Sequence, residues 1–440
     1  MNALNWDDLN RHVNALVEAA LSAVDPAEAV RRQLRLEDDE LVAGPDRTQL
    51  APTSRLFAVG AGKAGVAMST AAAEQLGDRL TAGVVAVPQA PAERAGPIRW
   101  IEAGHPLPNQ GSVEAGRQIR NMLAQAGQND IVLALISGGG STLLELPAEG
   151  LSLTDLQATN DLLLLSGASI GQVNLVRQQL SQIKGGGLAR MAGPATIVSL
   201  ILSDVVGNPL DKIASGPTVP GRHSPQEALD LLGQLGLADQ VPAPVIRHLR
   251  TAQPPPASES RGWQVLIGDN RLAAEAAAGR AETLGFRGLI LTNHLEGEAS
   301  QVGYLAAALA KSVRRHGDPV PAPACLILGG ETTVTVRGQG LGGRNQELAL
   351  AAAISLDGWE RLAVATLATD GVDGPTPAAG AIVSGDTLPA ARAKGLNAQG
   401  ALQANDSHRL LRALGADLVL GPTGTNVNDL LFVLAYPVDS

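Results

Sequence analysis

The sequence predicts an α/β protein of two domains: an N-terminal Rossmann-like parallel sheet with helices on both faces, and a C-terminal α/β domain with a mixed sheet. Continuous apolar segments of strand length alternate with segments of helical periodicity, which is typical of a parallel sheet covered on both faces. The 440 residues exceed one typical domain, and a proline-rich segment interrupts the alternation. We therefore expect domains at residues 1–245 and 262–440, joined by a linker at residues 246–261.

The elements of the first domain follow from its apolar pattern. Residues 6–36 alternate apolar and charged side chains at helical spacing and predict one or two amphipathic helices. An alanine-rich helix is expected at residues 66–76, after the first glycine turn. The predicted strands of the first sheet are residues 56–59, 83–87, 131–136 and 196–202.

The same alternation returns beyond the linker. Residues 325–328 and 332–336 are joined by Gly329-Gly330-Glu331 and predict a hairpin, so the second sheet is expected to be mixed. The other predicted strands of this sheet are residues 264–267, 288–291, 362–367 and 431–434.

Composition excludes several classes of function. A net charge of −10 argues against binding to nucleic acid, which needs a basic surface, and aromatic residues make up only 2% of the chain. Cys325 is the one cysteine and is expected in the core rather than as a nucleophile. No apolar segment is long enough to span a membrane, and residues 1–20 lack the pattern of a signal peptide, so we expect a cytoplasmic protein.

Five glycine-rich loops predict sites for phosphate or carboxylate groups, because glycine lets backbone N–H groups crowd around an anion. Each loop joins glycines to a polar or charged side chain. The loops comprise residues 60–65, 137–141, 184–187, 329–332 and 340–345.

The first loop matches G-x-G-x-x-G at Gly60, Gly62 and Gly65, between a strand and a helix. A nicotinamide-binding site would also need an acidic residue after the next strand, which instead ends at Val87-Pro88-Gln89. Lys63 places an ammonium group at a helix N-terminus, which suits a compact anion. A tight turn with a solvated lysine is the alternative.

The loop after the strand at residues 131–136 consists of Ser137, Gly138, Gly139, Gly140 and Ser141. Three glycines cost chain entropy that a plain connection would not need. We expect this loop to contact a phosphate or a carboxylate.

Further charged residues are candidates for the same chemistry. Arg177 and Lys184 are seven residues apart and could share one face of a helix. Arg344 could bind a carboxylate or phosphate in a bidentate manner, with a surface salt bridge as the alternative. His105 lies in a proline-rich loop and is expected to have a structural role rather than to act as a general base.

Acidic residues follow two predicted strands. Asp204 could take a proton from a hydroxyl or hold a divalent cation, and capping of a helix or turn is the alternative. Asp370 and Asp373 lie three residues apart on a glycine turn and could bind Mg²⁺, with the same alternative. The polar loop at residues 421–429, with Asn428 and Asp429, receives no assigned role.

Taken together, these motifs resemble the glycerate 2-kinase family, whose C-terminal part is called MOFRL and whose members were often labelled hydroxypyruvate reductases. The resemblance covers nearly the whole chain. It rests on the motifs at residues 59–64, 104–106, 137–141, 184–189, 202–205, 215–218, 329–332, 342–347 and 369–374.

The resemblance implies transfer of a phosphoryl group from Mg-ATP to the 2-hydroxyl of D-glycerate, in a cleft between the two domains. Lys63, Asp204 and Arg344 are the expected catalytic residues. Mg²⁺ is expected at Asp204, Asp370 and Asp373. The residues expected to contact ATP or D-glycerate are Gly62, Ser137, Gly138, Gly139, Gly140, Ser141, Lys184, Glu331 and Asn345.

Two other functions remain open at this stage: an NAD(P)H-dependent hydroxypyruvate reductase and a non-catalytic binding protein for small organic acids. The missing ribose acid after Val87 argues against the first. Acidic residues beside the anion loops argue against the second. No nucleic-acid or membrane partner is expected, and a homodimer is one of the oligomeric states that the sequence leaves open.

Overall fold

Two six-stranded sheets organise the chain in a computed structural model, which describes residues 4–93, 95–253 and 261–437. Each sheet belongs to its own compact unit. The central unit is Pro26–Ile267, and the terminal unit combines the described parts of Met1–Asp25 and Gly268–Ser440. Helix α1 (Trp6–Ala23) is therefore part of the terminal unit, although it comes first in the sequence.

The central unit contains an antiparallel three-stranded sheet and a larger sheet with surrounding helices. Its helices are α2 (Pro26–Gln33), α3 (Gly65–Leu76), α4 (Gln110–Leu123), α5 (Gly140–Leu143), α6 (Leu153–Leu165), α7 (Ile170–Gln179), α8 (Gly187–Met191), α9 (Pro225–Gln234) and α10 (Ala243–Thr251). Its strands are β1 (Leu34–Glu37), β2 (Glu40–Ala43), β3 (Asp46–Gln49), β4 (Leu56–Ala61), β5 (Leu80–Val87), β6 (Ile98–Glu102), β7 (Ile131–Ile136), β8 (Thr196–Leu202) and β9 (Gly262–Gly268).

The larger sheet has the strand order β6-β5-β4-β7-β8-β9, and the pairs from β6 to β8 are parallel. Every residue of β4 and β7 is buried, which explains their continuous apolar sequence. Ala61 pairs with Ile136, and Ile136 pairs with Ile201, so β4, β7 and β8 end side by side. The three loops that follow them therefore emerge at one edge of the sheet.

The terminal unit is built on a mixed sheet of order β10-β11-β15-β12-β13-β14. Strand β15 lies between β11 and β12 and is antiparallel to both. After α1, the helices are α11 (Asn270–Thr283), α12 (Ala299–His316), α13 (Arg344–Ser355), α14 (Thr387–Ala393), α15 (Ala398–Gln403) and α16 (Ser407–Leu414). The strands are β10 (Arg287–Leu295), β11 (Ala324–Gly330), β12 (Leu362–Ala368), β13 (Gly380–Ser384), β14 (Asp417–Leu418) and β15 (Asp429–Ala435).

The predicted two-domain α/β class, with a parallel first sheet and a mixed second sheet, is confirmed, but the predicted hairpin is wrong. Residues 332–336 form no strand, and Thr333 instead makes an isolated bridge to Glu298. The neighbours of β11 are β10, which is parallel to it, and β15, which comes from the far end of the chain. The sheet is mixed because of β15.

The boundaries of the two units differ from the predicted ones at both ends. Strand β9 was expected in the second sheet, but it lies beside β8 at the edge of the first. The backbone N–H of Ile197 in β8 donates to Arg261 O at 2.8 Å. Residues 246–251 of the predicted linker belong to α10, and residues 254–260 lie outside the described part of the chain.

The structure also bears on Cys325 and on membrane insertion. Cys325 is fully buried in β11, as predicted, and burial raises the pKa of its thiol to about 12. Among residues 4–93, 95–253 and 261–437, no helix is both long enough and apolar enough to cross a bilayer.

Candidate active site

Two glycine-rich loops of the central unit are joined at the edge of its parallel sheet. The backbone N–H of Lys63, after β4, donates to Gly138 O at 2.8 Å, and that of Ala64 donates to Ser137 Oγ at 3.1 Å. The N–H of Ser137 in turn donates to Ala61 O at 3.1 Å. The first and second predicted anion loops therefore form one connected surface.

Glycine is required at two positions of this surface. Gly62 has a φ of +144°, and a Cβ there would overlap Ser137 Oγ. A Cβ at Gly138 would overlap the carboxylate of Asp204, which follows β8. The glycines allow the loops from three neighbouring strands to approach closely.

The second loop is also where three functional side chains meet. Asp204 lies against Gly138. The position that a Cβ of Gly139 would occupy is 3.5 Å from Lys63 Cγ and 3.3 Å from His105 Nδ1. The structure thus brings Lys63 and Asp204, two of the three predicted catalytic residues, to adjacent glycines of one loop.

His105 is a neighbour of this cluster. Its Nδ1 lies 2.9 Å from Thr142 Oγ1, which also donates to Gly139 O. Partial burial, and secondly the charge of Lys63, lower the pKa of His105 below its usual value. The ring is therefore neutral at pH 7, in agreement with a role in hydrogen bonding.

A pocket of about 410 Å³, partly open to solvent, adjoins this loop within the central unit. Ser141 and Lys184, both predicted ligand contacts, line it together with Arg177. Lys184 is 1% exposed, and its Nζ forms an ion pair with the buried carboxylate of Glu145. Burial lowers the pKa of Lys184, while Glu145 acts in the opposite direction. Arg177 and Lys184 do meet, although Lys184 lies beyond the end of α7 rather than on it.

The third predicted catalytic residue, Arg344, lies in the terminal unit at the start of α13. Its Nη2 donates to Asp429 Oδ1 at 2.9 Å, and its Nε donates to the other oxygen of that carboxylate. Its Nη1 lies 2.9 Å from Glu331 Oε1. Asn428 Nδ2 donates to Glu331 Oε2 at 3.0 Å.

Asp429 is more deeply buried than its partner. Burial raises the pKa of Asp429 to about 6, although Arg344 acts to lower it. The Arg344 side chain is 33% exposed. Its two acidic partners hold the guanidinium in place, and part of the side chain stays accessible to a ligand. Such an arrangement holds a cation in one orientation, which suits recognition of a phosphate or carboxylate.

Asp373 and Asn345 have internal partners in the terminal unit. The carboxylate of Asp373 is 2% exposed and accepts from the backbone N–H groups of Asn345 and Gln346, at 3.1 and 2.8 Å. Asp373 therefore caps the N-terminus of α13. Asn345 is also 2% exposed, and its side chain lies 3.4 Å from Asp373 Oδ1.

The expected metal ligands come from two different units. Asp204 belongs to the central unit, whereas Asp370 and Asp373 belong to the terminal unit. In the described part of the chain, no group of three or more His, Cys, Asp or Glu side chains could hold a metal ion. Both oxygens of Asp373 already accept N–H groups, so its role as a metal ligand stays a prediction without structural support.

Two acidic residues that pair with predicted site residues have no role in the sequence-based prediction. The pattern of acids that follow strands does not include Asp429, which begins the antiparallel strand β15 and lies opposite Gly330 and Ala368. Glu145 was missed as well, although a single carboxylate among Leu143, Leu144 and Leu146 is a signal of a buried ion pair.

Two family models match the chain. Residues 12–250 match a domain described as a domain of unknown function, DUF4147, and residues 324–429 match the MOFRL family. The first match lies mostly in the central unit, and the second lies within the terminal unit.

Full-length relatives with assigned activities are also found. A D-glycerate 2-kinase of Thermotoga maritima is 41% identical over 97% of this chain and 99% of its own length. A glycerate 2-kinase of Pyrococcus horikoshii is 39% identical over 95% of this chain and 96% of its own length. The crystal structure of a Thermotoga maritima glycerate kinase covers 98% of this chain and 100% of its own, with a TM-score of 0.88 and 39% identity.

Proposed function

Because this chain belongs to the family of glycerate kinases with a DUF4147 and a MOFRL part, we propose that it transfers a phosphoryl group from ATP to the 2-hydroxyl of D-glycerate. The product is 2-phosphoglycerate. The observation that carries the proposal is the meeting of Lys63 and Asp204 at the glycine loop after β7.

Each group in this cluster has a task in phosphoryl transfer, which depends mainly on positioning and on neutralising charge. Asp204 orients the 2-hydroxyl and accepts its proton. Lys63 neutralises negative charge on the transferred phosphoryl group beside the glycine loop after β7. The proposal also assigns Arg344 to the active site, as a second cation that binds phosphate or carboxylate.

The proposed metal is Mg²⁺ that enters with the nucleotide. Mg²⁺ usually keeps several waters and binds through one or two carboxylates plus phosphate oxygens, so a dedicated group of three side chains is not needed. Asp204, beside the loop, fits such partial ligation. When bound, Mg²⁺ neutralises phosphate charge and fixes the orientation of the phosphates.

The test is ³¹P NMR of the protein incubated with ATP, Mg²⁺ and D-glycerate. A new phosphomonoester doublet, from phosphorus coupled to the single proton on C2, supports the proposal. A triplet means phosphorylation at C3 and overturns the assignment to the 2-hydroxyl. No new signal, together with oxidation of NADH by hydroxypyruvate, favours the reductase instead.

A further inference from the structure

The pocket beside the glycine loop has one apolar wall and one polar wall. Helices α6 and α7 supply an apolar wall that includes Leu163 and Val176. The polar wall contains Ser141, Thr142, Arg177 and the Lys184–Glu145 pair. Ser141 ends the loop against which Asp204 and Lys63 lie, and Thr142 follows it in α5, so the pocket adjoins the proposed reacting groups.

The pocket has a net positive charge. Lys184 and Glu145 neutralise each other, and Ser181 Oγ and the N–H of Leu146 also donate to the Glu145 carboxylate. Arg177 differs, because within the described part of the chain it forms no ion pair and donates one hydrogen bond, from Nε to Asn160 Oδ1 at 2.7 Å. The charge of Glu145 also acts on Arg177, but that carboxylate is already paired with Lys184, so a negatively charged ligand would stabilise this partly buried guanidinium further.

The chemistry of the walls defines the ligand class. The terminal nitrogens of a guanidinium match a carboxylate in bidentate geometry. The hydroxyls of Ser141 and Thr142 can exchange hydrogen bonds with ligand hydroxyls, and Ser141 Oγ is held by Ser215 Oγ at 2.7 Å. The leucines exclude water and so strengthen the charge pairing. This combination fits a small hydroxy acid.

We infer that this pocket binds the carboxylate of the hydroxy-acid substrate, with Arg177 as its counter-ion. The inference rests on the proposed function, in which D-glycerate is that acid. Phosphate shares the negative charge of a carboxylate, so a phosphate of the nucleotide is the competing occupant that the experiment must distinguish.

The experiment compares wild type with Arg177→Gln in the full-length protein. Calorimetric titration with D-glycerate, without nucleotide, measures acceptor binding directly, and steady-state kinetics give the KM for each substrate. Loss of a charge-assisted bidentate contact should weaken D-glycerate binding about 100-fold and raise its KM to match. The KM for ATP should stay within about twofold of wild type, since the proposed contact does not involve ATP.

Arg190→Gln is the matched control. Arg190 is also partly buried, burial also lowers its pKa, and its Nη1 donates to Gly185 O at 2.9 Å. It does not line the pocket, so both KM values should stay near wild type. Arg177→Lys keeps the positive charge but loses the bidentate geometry of the guanidinium, and should weaken D-glycerate binding by about tenfold.

Two results would overturn the inference: unchanged D-glycerate binding in Arg177→Gln, or a raised KM for ATP with an unchanged KM for D-glycerate. If Arg177→Gln does not fold, Arg177→Lys decides by its preference for D-glycerate over the neutral glyceramide. A reduced preference supports the inference, and a wild-type preference contradicts it. Failure of the proposed function is separate, because it would appear in wild type as absence of 2-phosphoglycerate.

Discussion

At the scale of single residues, the two cations assigned to the active site lie in different surroundings. Lys63 is exposed on a glycine loop of the central unit, whereas Arg344 is held by Asp429 and Glu331 in the terminal unit. A flexible ammonium group can follow a moving phosphoryl group, while a fixed guanidinium can bind only a group presented in one orientation. The proposed reaction uses both properties.

Removal of either cation should therefore slow the reaction. We expect Lys63→Ala and Arg344→Ala each to lower kcat by about 10²-fold or more, because charge on the transferred group is no longer neutralised. Formation of ADP from ATP at saturating D-glycerate measures the effect. Lys212→Ala is the control and should keep wild-type turnover. If both alanine variants keep near wild-type kcat, the assignment is wrong.

Asp429 should act through Arg344. We expect Asp429→Asn to lower kcat/KM by about 10- to 100-fold, because the guanidinium loses its charged bidentate partner. Asp429→Glu keeps the charge and should recover part of this loss. If Asp429→Asn retains wild-type kcat/KM, the carboxylate does not position Arg344.

A pH profile separates this role from a purely structural one. The carboxyl of Asp429 has a pKa raised by burial to about 6, so it is charged above pH 6 and becomes neutral below it. Wild-type kcat/KM should therefore fall as the pH drops through about 6. This decrease should be absent in Asp429→Asn, whose side chain cannot titrate; an unchanged acidic limb would contradict the role.

The residues of this site differ in how far the sequence predicts them. Lys63, Asp204 and the loop at residues 137–141 could be placed together because they follow parallel strands, whose carboxyl ends lie on one edge. The position of Asp429 could not be predicted in this way. It lies opposite Gly330 and Ala368 because β15 pairs antiparallel with β11 and β12, and Gly330 is about a hundred residues away in the chain. No local pattern encodes that pairing.

At the scale of elements, the orientation of Arg344 depends on the start of α13. A Cβ at Gly343 would overlap Asp373, so the glycine lets this carboxylate reach the first N–H groups of the helix. Burial raises the pKa of Asp373, while the N–H donors act to lower it. A charge at a helix N-terminus is further stabilised by the helix dipole.

Loss of this cap should destabilise the helix. We expect Asp373→Ala to lower the free energy of opening of α13 by about 3 kcal/mol, because buried N–H groups of Asn345 and Gln346 lose their acceptor. Native-state hydrogen exchange at α13 measures it. Asp386→Ala is the matched control: Asp386 precedes α14 but makes no capping hydrogen bond, so its removal should change stability by less than about 0.5 kcal/mol. Equal effects of the two substitutions would contradict the argument.

The hairpin predicted at residues 325–336 is absent because the partners of β11 come from distant parts of the chain. Residues 332–336 have the composition of a strand, and Gly329-Gly330 permits a turn, so local pattern favours a hairpin. In the structure, both sides of β11 are already paired, with β10 and β15. Thr333 bonds instead to the segment before α12, with its N–H donating to Gly297 O at 2.8 Å. Residues 332–336 cannot pair with β11 because β10 and β15 already occupy its two edges. That pairing depends on residues far apart in the sequence.

At the scale of the whole molecule, the N-terminal helix belongs to the same unit as the C-terminal half of the chain. Helix α1 packs on α11 in the terminal unit, and Thr425 Oγ1 donates to Val24 O at 2.8 Å. Strand β9 belongs to the central unit, where Trp263 Nε1 donates to Ala43 O at 3.0 Å. The proline-rich segment therefore predicted that a boundary exists near residue 260, but not which elements lie on each side of it.

These unit boundaries predict which fragment of the chain folds alone. The fragment of residues 26–267 keeps β9 beside β8 and contains its own sheet and core. The fragment of residues 1–245 lacks β9 and residues 246–251 of α10. It also carries α1, whose buried side chains Leu9, Val13 and Leu16 would lose their packing partner α11. We expect cooperative thermal unfolding and dispersed amide NMR signals from the first fragment and not from the second.

The two fragments control for each other, because they share residues 26–245 and differ only at their ends. A third fragment, residues 26–245, separates the effects of those ends. If loss of β9 and of residues 246–251 is the cause, this fragment should be as unstable as residues 1–245, because both lack the strand beside β8 and the Trp263 donor to Ala43 O. If exposure of α1 is the cause, it should recover. Cooperative unfolding of residues 1–245 at the same temperature as residues 26–267 would contradict both, and the unit boundaries would have no energetic meaning.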